Sequence, residues 1–256
     1  MPERVLVALH GNFASAAWWA DLLADPSTGW RVLAPDLPGF AGTSHTGEVS
    51  IPAYADWLAG WLARQGVTRP VLLGHSLGGA VALEYAARDP GALSGLVLAA
   101  SAPLTGLVTP EENYPVLELL RGNPQLRELS LGALFPSRRP DNFPALVEDA
   151  GRMANTHYSG NARALAGWSV DPAHLRGLPV RVLGGALDLL VTPEMVRAQA
   201  AALGVGATVL EGRGHGFPQE DPAAFRALLE DFLAGLPRTV PRKVAEPFWA
   251  ERSEKP

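Results

Sequence analysis

One serine of this chain has the neighbours that nucleophilic catalysis requires. Residues 74–78 form a G-x-S-x-G motif around Ser76, directly after the apolar run 71–73. Between a buried strand and a helix, this motif predicts a nucleophile elbow that lifts the serine hydroxyl above the sheet on a strained backbone. Glycine is needed at positions 74 and 78 because a side chain there would collide with a neighbouring strand or helix. The predicted chemistry is attack of the Ser76 hydroxyl on a carbonyl carbon.

A serine hydroxyl is a weak nucleophile at neutral pH, so it needs a histidine that takes its proton and a carboxylate that orients the histidine. Asp188 follows the apolar run 180–183, and His215 follows the run 208–210. Because the loops after parallel strands meet at one edge of a sheet, we expect both side chains beside Ser76. The chain order of serine, aspartate and histidine predicts a catalytic triad of these three residues.

Both partners of the serine also have a simpler interpretation. Asp188 could cap the helix that follows it, but Thr192, just before Pro193, is better placed for that role. His215 could be an ordinary histidine of a turn. The glycines at positions 212, 214 and 216 indicate instead a loop shaped to present its imidazole, and histidine is the usual base near neutral pH. We therefore favour the catalytic interpretation for both residues.

Acyl transfer also requires an oxyanion hole, in which two backbone N–H groups point at the oxygen that becomes negative. Leu77, next after the serine, is expected to supply one N–H group. The second is expected from the loop after the first apolar strand, where Gly11 lets the backbone approach a ligand, and we choose Asn12 over Phe13. The alternative for this loop is a tight strand-to-helix turn that binds no ligand.

The composition limits the function classes. The chain has 256 residues, 47% of them hydrophobic, and a formal net charge of -5 spread over both signs, so neither nucleic acid nor an anionic membrane is an expected partner. Because the chain has no cysteine, disulfides, thiolate metal sites and thiol catalysis are excluded. The apolar run that ends at His10 is too short for a signal peptide or a membrane span, and we expect a cytoplasmic enzyme. No metal or organic cofactor is predicted.

Short apolar runs alternate with segments of helical spacing, which predicts a doubly wound α/β fold with a buried, mostly parallel sheet. The predicted strands lie at residues 5–9, 32–34, 71–73, 96–99, 180–183 and 208–210, and the predicted helices at about 16–24, 51–65, 79–88, 193–203 and 222–233. From 102 to 175 the alternation stops, and leucine-rich pieces broken by prolines predict several short helices that form a lid. We therefore divide the chain into a core of residues 1–101 and 176–236, a helical lid of 102–175 and a C-terminal tail of 237–256.

These motifs together resemble the α/β-hydrolase superfamily of serine hydrolases with a helical lid. The segments that carry the resemblance are residues 10–12, 36–44, 74–79, 185–193 and 212–216. The resemblance implies that Asp36 belongs to a structural loop and that Asn12 is the second oxyanion donor. Relatives begin with an antiparallel hairpin that this chain lacks, so the sheet is expected to be shortened at its N-terminus. The His-Gly-Asn segment also resembles haloalkane dehalogenases, but those enzymes carry aspartate where this chain has Ser76.

The sequence thus predicts a serine hydrolase that cleaves a carboxylic ester or related acyl compound, with a small-molecule acyl substrate and a monomeric or homodimeric state. Candidate substrate contacts are Phe13, Trp18, Phe135, His157 and Trp168, and the apolar lid favours an apolar acyl group. A thioesterase, a lactonase and a carbon–carbon bond hydrolase would use the same triad, as would an acyltransferase. From another class, a ligand-binding receptor or scaffold could retain the fold, because fold alone does not establish activity.

Overall fold

A computed structural model describes residues 4–26 and 29–237 of the chain. Within these residues six strands form one sheet in the order β2-β1-β3-β4-β5-β6, and every neighbouring pair is parallel. The strands are β1 (Arg4–Leu9), β2 (Trp30–Leu33), β3 (Val71–His75), β4 (Gly95–Ala99), β5 (Val180–Gly185) and β6 (Ala207–Leu210). The predicted doubly wound parallel sheet is therefore confirmed. All six strands end at the same edge, which places the loops after them together.

In the described residues, ten α-helices cover the two faces of the sheet and the edge at which its strands end. They are α1 (Ala20–Ala24), α2 (Ile51–Arg64), α3 (Leu77–Arg88), α4 (Tyr114–Leu119), α5 (Pro124–Gly132), α6 (Phe143–Gly151), α7 (His157–Ala166), α8 (Pro193–Ala202), α9 (Phe217–Glu220) and α10 (Pro222–Gly235). The predicted helix at 16–24 divides into a 3₁₀ turn, Ala16–Trp19, and α1. Both tryptophans of this 3₁₀ turn are buried.

The apolar residues of the strands alternate between two cores, one on each face of the sheet. Along β1, Val5, Val7 and Leu9 pack in one core with α2, α3 and α8, whereas Leu6 and Ala8 pack in the other with α1 and α10. Strands covered on both faces need apolar side chains at every position, which explains their near-continuous hydrophobic sequence. Burial on both faces holds the sheet rigid beneath the loops at its carboxyl edge.

The segment between β4 and β5 is helical, as predicted, and consists of α4 to α7 with their connections. Prolines stand in the first turn of α4, α5 and α6, where the missing N–H group costs no hydrogen bond, so they begin these short helices. Residues of this insertion join both cores: Leu165 packs with the α3 side, and Leu146 with the α10 side. The insertion is thus anchored to the cores on both faces of the sheet.

The predicted tail, residues 237–256, lies outside the described residues except for its first proline. In the described part of the chain, no helix has both the length and the apolar character needed to cross a lipid bilayer. The strand next to residues 1–3 already pairs with β2 and β3, so the described sheet begins without an antiparallel hairpin.

Candidate active site

Ser76 lies in the sharp turn between β3 and α3. Its φ of 52° and ψ of -117° are values that residues with a side chain rarely adopt, and such a backbone costs about 1–3 kcal/mol. The turn is possible only because positions 74 and 78 are glycine. A Cβ atom on Gly74 would lie 2.5 Å from the Gly78 oxygen, and one on Gly78 would lie 2.4 Å from the His10 oxygen. The serine remains 8% exposed at the base of the insertion.

His215 and Asp188 form a buried pair in the loops after β6 and β5. The His215 Nδ1 atom lies 2.7 Å from the Asp188 Oδ2 atom, and the two residues are 4% and 2% exposed. The other carboxylate oxygen accepts the N–H groups of Leu190, at 2.8 Å, and Val191, at 3.0 Å. Because the carboxylate accepts the Nδ1 proton, the Nε2 atom of neutral His215 carries a lone pair that can take a proton.

The cap of α8 is Thr192, whose side chain accepts the N–H group of Met195. Asp188 is therefore free of that role, and both of its oxygens serve to hold the loop and the imidazole. This arrangement suits a carboxylate that orients a histidine.

The loop that carries His215 is bonded to His75, the residue directly before Ser76. The His75 Nε2 atom donates to the His215 carbonyl oxygen at 2.9 Å, and the centroids of the two imidazole rings are 4.7 Å apart. Burial, followed by the charge of His215, holds the pKa of His75 well below 6.5, so this ring stays neutral as a donor. Within the described residues Ser76 and His215 make no direct hydrogen bond. Such bonds are often long in a free enzyme and tighten with substrate.

Two backbone N–H groups beside Ser76 have no hydrogen-bond partner in the described part of the chain. Leu77 is the first residue of α3, so its N–H group has no partner within the helix. The N–H group of Asn12 likewise has no partner among the described residues, whereas the Phe13 N–H group donates to the Asn12 Oδ1 atom at 3.1 Å. A Cβ atom on Gly11 would lie 3.0 Å from the Ser76 Cβ atom, which shows how closely this loop approaches the serine.

His10 holds the same loop from below. Its Nδ1 atom donates to the Gly11 oxygen at 2.8 Å, and its Nε2 atom accepts the Leu37 N–H group at 3.0 Å. These two bonds require the neutral ring, and burial lowers the pKa of His10 to about 4. Asp36 supports the loop further on by accepting the Ala16 N–H group at 2.6 Å. Both residues thus have structural roles.

Three of the predicted substrate contacts lie around the nucleophile and the base. Trp18 stacks on His75 with ring centroids 4.4 Å apart and lies 5.5 Å from the ring of Phe135. Phe135 comes from the insertion and packs against Gly216, next to the base. Phe13 follows Asn12, is only partly buried, and packs edge-on against Tyr158. Trp18 and Phe135 are buried members of the core on the α10 side of the sheet, and Phe13 packs against that core.

The other two predicted contacts, His157 and Trp168, have packing roles instead. His157 is fully buried, its Nε2 atom donates to the Pro38 oxygen at 3.0 Å, and its Nδ1 atom lies 3.1 Å from Thr156 Oγ1, so neither nitrogen is left for substrate. Trp168 donates to Glu84 at 2.9 Å. Since Glu84 lies seven residues after Leu77, this contact is about 10 Å along α3 from the nucleophile. Aromatic character alone could not separate wall residues from these anchors.

Sequence reasoning missed two buried polar residues that support the site loops. Glu220, on α9, accepts the Gly214 N–H group at 2.5 Å beside the base and binds Ser137 of the insertion. Asn161, on α7, donates to Asn12 at 2.8 Å. The local sequence around these two residues does not mark them, because their partners come from distant segments that only the fold brings together.

No three histidine, aspartate or glutamate residues of the described ranges lie close enough together to hold a metal ion.

Comparison with known proteins gives matches over most of the chain. The sequence profile of the Alpha/beta hydrolase family matches residues 6–228. The pimeloyl-[acyl-carrier protein] methyl ester esterase of Neisseria meningitidis serogroup B is 29% identical over 92% of this chain and 95% of its own. Among solved structures, a thermophilic esterase from Thermogutta terrifontis is 25% identical with a TM-score of 0.72, covering 90% of this chain and 89% of that one. The enol-lactonase from Burkholderia xenovorans has the same fold, with a TM-score of 0.80, 22% identity and coverage of 91% and 92%.

Proposed function

Because this chain belongs to the alpha/beta hydrolase family and is a hydrolase, we propose that it cleaves a carboxylic ester through an acyl-enzyme on Ser76. The observation that carries the proposal is the buried pair of His215 and Asp188, 2.7 Å apart, in the loops that meet the Ser76 elbow. A buried, oriented imidazole next to a strained serine is the arrangement that activates a hydroxyl.

In the first half of the reaction, the Ser76 Oγ atom attacks the carbonyl carbon while the His215 Nε2 atom takes the hydroxyl proton. The carbonyl oxygen becomes negative and accepts the N–H groups of Leu77 and Asn12, which lowers the barrier because both donors are already in place. The tetrahedral intermediate then collapses, the bond to the leaving oxygen breaks, and His215 passes the proton to the departing alkoxide. An alcohol leaves, and the acyl group stays bound to Ser76.

In the second half, a water molecule attacks the acyl carbon and gives its proton to His215. The bond to the Ser76 Oγ atom breaks, and the proton returns to the serine as the carboxylic acid leaves. Asp188 stays ionised throughout and stabilises the imidazolium that forms twice in each cycle.

The walls of the site favour an uncharged acyl group of short to medium length. Trp18 and Phe135 bring apolar rings to the region around His75 and His215. We propose that the insertion acts as the lid, because Ser76 is only 8% exposed beneath it. The named relatives include a methyl ester esterase and a lactonase, so methyl esters, thioesters and lactones belong in a substrate panel beside p-nitrophenyl esters.

The experiment compares hydrolysis of p-nitrophenyl butyrate by the wild type and the variants Ser76→Ala and Ser101→Ala. Ser101 is a matched control, since it is a buried serine close to α3 whose hydroxyl donates to the Ala102 oxygen. We expect Ser76→Ala to lose at least about 10³-fold in kcat, and Ser101→Ala to stay within a fewfold of the wild type. Equal rates for wild type and Ser76→Ala would refute the proposal and favour a binding protein. A fluorophosphonate should also label the wild type at Ser76, as measured by peptide mass spectrometry.

A further inference from the structure

A chain of three hydrogen bonds connects the insertion to the oxyanion loop. The Tyr54 hydroxyl on α2 lies 2.7 Å from the Asn161 Oδ1 atom, and the Asn161 Nδ2 atom lies 2.8 Å from the Asn12 Oδ1 atom. The same Asn12 oxygen accepts the Phe13 N–H group at 3.1 Å. Asn161 is fully buried on α7, and Tyr54 is 2% exposed, so the bond between them is shielded from water.

The direction of every bond in this chain follows from one backbone group. The Phe13 N–H group can only donate, so the Asn12 side chain must turn its oxygen toward it. That oxygen then faces Asn161, which must present its NH₂ group. The Asn161 oxygen is left for Tyr54, whose hydroxyl must donate. Reversing the amide of Asn161 would place two acceptors against each other at one end of its side chain.

The last residue in this series of hydrogen bonds, Phe13, has an unfavourable backbone conformation. Phe13 has a φ of 56°, in the left-handed region, where a residue with a side chain costs about 1–3 kcal/mol. Residues 12 and 13 form a turn, and the bond from the Phe13 N–H group to the preceding Asn12 side chain lies within it. The turn keeps the Phe13 N–H group occupied and leaves the Asn12 N–H group as the free donor beside Ser76.

We propose that Asn161 is a positioning residue for the oxyanion hole, acting through the side chain of Asn12. The proposal rests on the proposed function, because it assigns a task within the same reaction. Asn161 holds the Asn12 oxygen in the orientation that closes the turn, and the turn aims the Asn12 N–H group at the oxyanion. The helical insertion thus completes the oxyanion hole as well as covering it.

Other contacts hold the same loop to the insertion, but they lie further along it. The Ser15 hydroxyl donates to Asp149 at 2.6 Å, and Asn142 donates to the Ala17 oxygen at 2.8 Å. Among the described residues, Asn161 is the insertion residue that binds the Asn12 side chain itself. Loss of Asn161 should therefore affect the donor more than the attachment of the loop.

The test compares Asn161→Asp with Asn161→Ala on the high-pH plateau of a kcat profile measured from pH 6 to 9, because burial raises the pKa of a carboxyl above its usual value of about 3.9 and the protonated form still donates a hydrogen bond. The carboxylate has the shape of the asparagine but presents an oxygen to the Asn12 oxygen, which drives the Asn12 amide to turn over and leaves the Phe13 N–H group unpaired. Alanine removes the bond without repulsion. Since removal of a whole oxyanion donor costs about 10²–10³ in kcat, we expect kcat to fall about 10- to 100-fold for Asn161→Asp and about 3- to 10-fold for Asn161→Ala.

A merely structural role predicts the opposite order, because alanine leaves a cavity and aspartate does not. KM should change little in both variants. The Ser76 oxygen attacks the carbonyl of a trifluoromethyl ketone and forms an anionic hemiketal in the oxyanion hole. The affinity for this inhibitor should fall by the same factor as kcat/KM. Asn155→Asp is the matched control, since it makes the same substitution at an exposed position of the insertion. In the described residues, Asn155 accepts a hydrogen bond from Arg121 through its backbone oxygen, which the substitution keeps.

The inference is overturned if Asn161→Asp keeps a wild-type kcat while folded, or if alanine lowers kcat more than aspartate does. Thermal melts confirm that each variant is folded at the assay temperature. If the aspartate variant does not fold, Asn161→Ala decides: an unchanged kcat overturns the inference, and a lowered kcat with an unchanged KM supports it. The proposed function fails separately, through equal rates for the wild type and Ser76→Ala.

Discussion

Replacing Glu220 with glutamine tests how the loop of the base is held. Glu220 is 3% exposed, and its Oε2 atom accepts the Gly214 N–H group at 2.5 Å. Its Oε1 atom accepts the N–H and hydroxyl groups of Ser137 at 2.8 and 2.7 Å. The carboxylate therefore ties the residue before His215 to the insertion through three donors.

Glutamine has the same size but only one acceptor oxygen. Turning that oxygen toward Ser137 satisfies two donors, so its NH₂ group must face the Gly214 N–H group, which loses its partner. A buried donor without a partner costs about 1–3 kcal/mol, and we expect the free energy of unfolding to fall by that amount. Because Gly214 directly precedes His215, the base should shift, and a displacement of about 1 Å can cost up to about 10²-fold in rate. We expect kcat/KM to fall about tenfold.

Urea denaturation and hydrolysis of p-nitrophenyl butyrate measure the two effects. Ser137→Ala is the control, because it removes one hydroxyl donor to Glu220 but keeps the bond to Gly214. It should lower the free energy of unfolding by about 1 kcal/mol and leave kcat/KM within about twofold. Glu230→Gln, an exposed change of the same kind on α10, should alter neither quantity. The reasoning is refuted if Glu220→Gln is as stable and as active as the wild type, or if Ser137→Ala lowers kcat/KM as much as Glu220→Gln does.

Three further predictions concern the turn, an anchor and the pH. Gly78→Ala should destabilise the fold by more than about 3 kcal/mol, because its Cβ atom would lie 2.4 Å from the His10 oxygen; a melting temperature equal to that of the wild type would contradict this. Trp168→Phe should cost about 1 kcal/mol through the lost bond to Glu84 and leave the preference among acyl chain lengths unchanged, whereas an altered preference would return Trp168 to the substrate site. Burial lowers the pKa of His10 to about 4, so the unfolded chain binds a proton that the folded chain does not as the pH falls below 6.5. His10 alone should therefore lower the free energy of unfolding by about 1.6 kcal/mol between pH 6.5 and 5, and His75 and His157, whose pKa values burial also lowers, should add to this loss. Urea midpoints that stay constant over this range would exclude the effect.

The fold could be predicted closely because its signals are local. Apolar runs without alternation mark strands buried on both faces, and the bounds of α2, predicted as 51–65, differ from the observed Ile51–Arg64 by one residue. The elbow was predictable for the same reason, since two glycines at fixed spacing around Ser76 have a steric cause within five residues. The separation of the 16–24 segment into a 3₁₀ turn and a short helix was not predictable, because the packing of Trp18 and Trp19 against His75 determines it.

The assignment of wall residues shows where local patterns fail. Phe135 and Trp168 are both aromatic residues of the insertion, and nothing in their neighbours separates them. In the structure Phe135 packs at Gly216, whereas Trp168 reaches Glu84 on the distant part of α3. Residue type decides that such a side chain is buried, but the path of the chain decides which surface buries it.

The sequence by itself determined the order of strands and helices and the strained turn at Ser76. It also placed an aspartate and a histidine in the loops after two later strands. These features follow from steric and hydrophobic rules that act over a few residues. The tertiary structure alone decided that Glu220 binds the loop of His215 and that Asn161 binds the loop of Asn12. A buried polar group is stabilised by partners that lie far away in the chain, and the identity of those partners exists only once the insertion has packed over the sheet.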